Sequence, residues 1–167
     1  MTTSEWGRVA EDGTVYVRTP DGEREVGQYP EGSAEEALAF YAKRYDELAG
    51  SVHLLEQRVN AGVVSPDEAT ESVRHLRSQV VDANAVGDLT SLVGRLDSLL
   101  PVISQHRQAR RAERAERAAA TKDEKERLVA EAEKLAESND WRNGANRLRQ
   151  LLDEWKALPR IDRAADD

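Results

Sequence analysis

The sequence predicts a mainly α protein: an antiparallel helical bundle with coiled-coil-like helices and a small N-terminal three-stranded β-meander. Three observations carry this. Apolar residues recur at alternating steps of three and four over 38–59 and again over 141–155, Ser/Thr-x-x-Glu signals stand where helices would open, and two Asp-Gly pairs punctuate a β-rich stretch near the start. Composition agrees. Charged residues make up 34% of the 167 residues and Phe occurs once, against a usual charged share of about 25%, and long helices with narrow apolar stripes suit that mixture better than a thick core.

Residues 1–31 read as the meander. The runs EWGRVA, TVYVRT and EREVGQY are separated by Asp12-Gly13 and Asp21-Gly22, pairs that supply the positive φ of tight hairpin turns. Val15 and Val17 share one face and Tyr16 takes the other. Strands this short need a helix to pack on, so the sheet reads as a cap on the helices more readily than as a docking surface.

Residues 32–106 read as the bundle. Ser33-Ala-Glu-Glu36 is a capping box, and Leu38, Tyr41, Tyr45, Leu48, Val52, Leu55 and Val59 form a heptad seam that calls for a partner helix, closed by Gly62. Ser65-Pro-Asp-Glu68 opens a second helix, with Ala69, Val73, Leu76 and Val80 on its seam to about Asp82. Asp88 caps a third, striped by Leu89, Leu92, Val93, Leu96, Leu99, Leu100 and Ile103, which Pro101 should kink or restart. Short connections make these helices antiparallel neighbours. The first seam is satisfied equally by an intramolecular helix or by a second copy, so a homo-oligomer stays open.

Residues 107–121 lose the stripe. HRQARRAERAERAAATK holds nothing larger than Ala to bury but is strongly helix-favouring, with Glu113 and Arg117 placed for an i,i+4 pair, and reads as a charged helical connector. Residues 122–167 read as an incomplete helical-hairpin repeat. Thr121-Lys-Asp-Glu124 offers a helix restart before Leu128, Ala132 and Leu135, Ser138-Asn-Asp140 breaks and caps, and Trp141, Ala145, Leu148, Leu152 and Trp155 make the last seam before Pro159.

Function is less legible. A net charge of −8 argues against a generic nucleic-acid binder. There is no cysteine, hence no thiol chemistry, and no signal peptide or apolar run of membrane length stands out; a soluble cytoplasmic protein without a membrane partner is expected. His53, His75 and His106 fall on separate helices without ligand spacing, and the glycines sit at turns and helix ends rather than in a phosphate loop. No catalytic, cofactor-binding or metal-binding residue is assigned, and no enzyme is expected.

Two features remain as candidate sites. Arg107, Arg110, Arg114 and Arg117, at steps of three, four and three, place four guanidinium groups on one helix face that could follow RNA phosphates; Glu113 and Glu116 dilute the charge, no aromatic is there to stack on a base, and a solvated linker helix is the simpler reading. Trp141 and Trp155, with Lys156 and Arg160, are candidate protein-interaction residues. Aromatics at helical spacing are more often core, and against Leu128, Ala132 and Leu135 these two could pack across a short hairpin.

Trp141, the Leu148-Arg-Gln-Leu-Leu152 run, Glu154-Trp155-Lys156, Leu158-Pro159-Arg160 and Asp166-Asp167 together resemble a bacterial helical repeat family, the domain of unknown function 349, from about Lys122 onward. In that family a further helix opening with a Leu-Trp pair follows, so the resemblance implies an incomplete first repeat. The stretches WGRV, DGTVYVR, GSAEEALAFY and LLEQRV are similar to the leader region of actinobacterial members. The resemblance brings no catalytic residues. The expected function is a non-enzymatic helical scaffold or protein-interaction module holding an unidentified protein partner; the alternative is an RNA- or ribosome-associated factor acting through the Arg107 to Arg117 face.

Overall fold

The computed structural model describes residues 2–138 and 141–160, apart from the side chains of Thr2 and Thr3. Its elements are β1 (Thr2–Thr3), β2 (Gly7–Val9), β3 (Thr14–Thr19), β4 (Gly22–Gln28), α1 (Ala34–Asn60), α2 (Pro66–Val81), α3 (Leu89–Asp97), α4 (Leu99–Glu137) and α5 (Trp141–Ala157). They fall into two compact units, residues 1–107 and 108–167.

In the first unit the meander is antiparallel in the order β1-β2-β3-β4. It thus has one strand more than the three expected, a two-residue edge strand paired to β2. Gly13 and Gly22 both take positive φ, and Asp12 accepts from the Thr14 amide at 3.0 Å, a bond that pulls its carboxyl below the ordinary aspartate value. A bulge at Val15/Tyr16 lets two residues of β4 oppose one of β3. Val15 and Val17 are fully buried, while Tyr16 on the opposite face lies under the Arg8 guanidinium.

Helix α1 opens with the complete capping box: the Glu36 amide donates to Ser33 Oγ and the Ser33 amide donates to the Glu36 carboxylate. Only the first half forms at α2, where Ser65 Oγ accepts from the Glu68 amide and Pro66 starts the helix. Asp88 caps α3 by accepting from the Ser91 amide. The α1 seam is consumed within the chain, since Tyr41, Val52, Leu55 and Val59 join Val73, Val80, Leu92, Leu96 and the sheet valines in one core. The sheet is therefore a cap, its apolar face already covered.

Pro101 does restart the helix, but the break comes upstream of it. Ser98 ends α3, and Pro101 stands in the first turn of α4, where a missing N–H costs no intrahelical bond. The phase changes there: Leu99 and Ile103 are buried, whereas Leu100, counted in the expected stripe, is exposed. No second restart occurs at Thr121. Its hydroxyl donates to the Arg117 carbonyl one turn back, and α4 runs through unbroken to Glu137.

The second unit pairs the later turns of α4 with α5. Ser138 accepts no cap assignment here, because Asn139 and Asp140, with the acidic pair Asp166-Asp167, lie outside the described residues.

Candidate protein-interaction surface

The arginine face is partly engaged. Arg107 donates to Asp67 at 2.8 Å and Arg117 to Glu113 at 3.0 Å, the second being the expected i,i+4 pair; Arg110 and Arg114 enter no ion pair among the described residues. All four groups lie along the one helix α4. They remain a row on a helix that is exposed along almost its whole connector stretch.

The hairpin of the second unit has two unlike edges. One is ionic. Arg147 grips Glu131 through both carboxylate oxygens, at 2.7 and 3.0 Å, and Arg127 holds Glu124 at 2.6 Å and Glu131 at 3.3 Å. Glu154 closes the group at 3.8 Å from Arg127 and 3.6 Å from Arg147. Hydrogen bonds from Arg147 and Arg127 pull the Glu131 and Glu124 carboxyls below their ordinary values and raise the two guanidinium groups.

The middle of the hairpin is thin. Leu128 and Leu151 are the buried large apolar side chains, with Gly144 buried beside them on α5. Lys125 is also buried, and its ammonium lies 4.8 Å from the centre of the Trp155 ring, so its stem packs while its charge meets the ring face.

The other edge is apolar and uncovered. Trp141 is 76% exposed, Leu152 51%, Val129 43% and Leu148 38%. Beside them an open groove of about 330 Å³ runs along Lys122, Lys125, Glu126, Val129, Ala130, Glu133 and Trp155. Lys156 and Arg160, the remaining candidates, are both exposed.

This corrects the expected seam. Trp141, Ala145, Leu148 and Leu152 do share one helix face, but α4 meets the neighbouring face that carries Gly144 and Leu151. At 100° per residue the apolar arc of α5 is wider than one neighbour covers, because Leu151 and Leu152 cannot both point at α4. Reading Trp141 as core fails for the same reason; Trp155, at the border of the two faces, is half-buried. Ionic contacts mark the face that meets α4: Arg147 reaches Glu131, and Glu154 lies near Arg127.

Among the described residues no group of three or more His, Cys, Asp or Glu side chains could hold a metal ion, and no helix is long and apolar enough to cross a membrane. The molecule is thus of a recognisable class, a mainly α protein whose C-terminal hairpin leaves half of an amphipathic helix bare. Residues 91–164 match the model of the family described as Domain of Unknown Function (DUF349), so the later part of the chain is similar to that family. The match begins at Ser91 in α3, well before Lys122 where the motif resemblance starts. No curated protein and no solved structure matches the chain.

Proposed function

We propose that the chain is a non-enzymatic helical scaffold that holds a protein partner on the bare edge of its α4–α5 hairpin, with Trp141, Leu148 and Leu152 as contacts and Trp155 at the border. The observation that carries this reading is the uncovered apolar strip on α5. Exposed leucines scattered singly need no explanation, but a Trp and two Leu at helical spacing beside a groove form the centre-and-edge pattern of an interface. Lys156 and Arg149 flank the strip as its polar border. The binding of RNA phosphates by the Arg107 to Arg117 face has less support, since Asp67 and Glu113 already occupy two of the four guanidinium groups.

A photo-crosslinking amino acid at position 148, carried on the full chain in its host cell, tests the proposal. A protein adduct at 148, absent when the label is placed at exposed Arg74 instead, is the expected result. Adducts with nucleic acid only, or equal labelling from both positions, would overturn it.

A further inference from the structure

The bare edge has a charge pattern that selects its occupant. Seen along α4, Val129 and Ala136 lie on one line, and Glu126 and Glu133 stand just outside it, seven residues or about 10.5 Å apart. On α5, Trp141 and Leu152 lie on the corresponding line, and Arg149 and Lys156 stand just outside it at the same interval. One border of the apolar strip is therefore mainly acidic and the other basic. Lys122, the cation on the acidic border, is 4.0 Å from Glu126.

Observed contacts fix how the two helices line up. Arg127 is opposite Glu154 and Lys125 is opposite Trp155, so Glu126 is nearly level with Lys156, and Glu133 with Arg149. On one hairpin these groups are on opposite outer borders and cannot meet. A two-fold rotation about an axis parallel to the helices brings them together: α4 of one copy then lies antiparallel over α5 of the other, acid over base on both sides.

We infer that the hairpin's partner is a second copy of this chain, joined in a two-fold four-helix arrangement with Leu152 of each copy against Val129 of the other. Ala145 falls at the level of Ala136 across the interface, Trp141 lies about one helical turn beyond it, and the Trp155 rings border the axis. This rests on the docking reading above and names its occupant. The contact is isologous, so the same pairs form twice and the assembly closes at two chains. A rotation about the perpendicular in-plane axis would set Glu126 and Glu133 against their own copies, and like charges facing each other disfavour it.

Sedimentation equilibrium of the full chain against concentration provides the test, using exposed charges whose exchange leaves the fold intact, as checked by circular dichroism. The wild-type chain is expected to dimerise. Glu126→Lys with Glu133→Lys makes both borders basic, and Arg149→Glu with Lys156→Glu makes both acidic; each pair should weaken self-association by about tenfold or more. Mixing the two double variants should restore dimers as a heterodimer. A chain that stays monomeric into the millimolar range, or charge variants that dimerise as before, or a mixture without recovery, overturns the second copy as occupant. The crosslink at position 148 separates the two levels: an adduct with a different protein leaves the docking surface standing and removes only the second copy, whereas no protein adduct removes both.

Discussion

The two units of this chain solve the problem of staying folded in opposite ways. In residues 1–107, sheet valines, an α1 seam and the leucines of α3 converge on one continuous core, with Val15, Val52, Leu92 and Leu96 fully enclosed. In the described part of residues 108–167 the buried large apolar side chains are Leu128 and Leu151, each worth about 2 kcal/mol of burial. Ordering a residue costs about 1 kcal/mol or more, so the second unit leans on other terms. Its Ala-, Glu- and Arg-rich helix has high propensity and is continuous with turns that Leu99 and Ile103 anchor in the first core, which supplies the costly nucleus of helix formation. The ionic edge adds small increments, and the apolar edge is left bare. A thick core makes a unit self-sufficient; a thin one leaves apolar surface in water.

The sharpest way to break this comparison is to cut one leucine from each unit. Leu96→Ala should lower the main urea unfolding free energy by about 3 kcal/mol, within the 2 to 5 usual for enclosed leucines. Leu151→Ala should leave that transition in place and instead speed amide exchange across α5. If both variants shift the same transition by the same amount, the units unfold as one and the contrast fails.

A smaller effect is expected at Gly87, where the first unit is tightly packed. An added Cβ would run into the Tyr45 ring, whose hydroxyl reaches the Asp88 carbonyl at 3.5 Å. Gly87→Ala should cost about 1 to 3 kcal/mol by overpacking, and Tyr45→Ala in the same chain should cancel most of that penalty. Additive losses in the double variant would mean that the loop backbone, rather than the ring, is the obstacle.

The same contrast explains what could be read from the sequence. Where a stripe is narrow and a partner is plentiful, as along Tyr41, Val52, Leu55 and Val59, periodicity identifies the buried face directly, and the caps at Ser33, Ser65 and Asp88 mark the starts because local hydrogen bonds set them. The turns at Gly13 and Gly22 are legible for the same local reason. On α5 the apolar residues span more arc than α4 can cover, so period alone cannot say which of Leu151 and Leu152 is inside. The contact that accompanies that choice, Arg147 with Glu131 sixteen residues away, is a tertiary pairing without a periodic signal. The candidate residues Trp141 and Trp155 were visible; that one is bare and the other sits on a buried lysine was not. Thr121 shows the reverse failure, a good local cap overridden by helix continuity from both sides.

The smallest expected effect concerns the ionic edge and depends on pH. Arg147 holds the Glu131 carboxyl below its ordinary 4.5, and Arg127 does the same for Glu124. Since each folded value lies below the unfolded one, the stabilisation is fully present above about pH 4.5 and is lost as pH falls through the folded values. Both groups face solvent, so the contribution is modest and salt weakens it. Between pH 4.5 and lower values, α5 amides should lose protection before those of α1, and Arg147→Gln should move the Glu131 side-chain NMR titration upward while flattening the acid-dependent step in α5. Asp12, lowered by the Thr14 amide, gives the first hairpin an acid sensitivity of its own that this variant leaves untouched, which makes it the internal reference. Unchanged α5 exchange in Arg147→Gln would assign the rotation of the helix to Leu151 and Leu128 alone, and the ionic edge would then be a consequence of the packing rather than one of its causes.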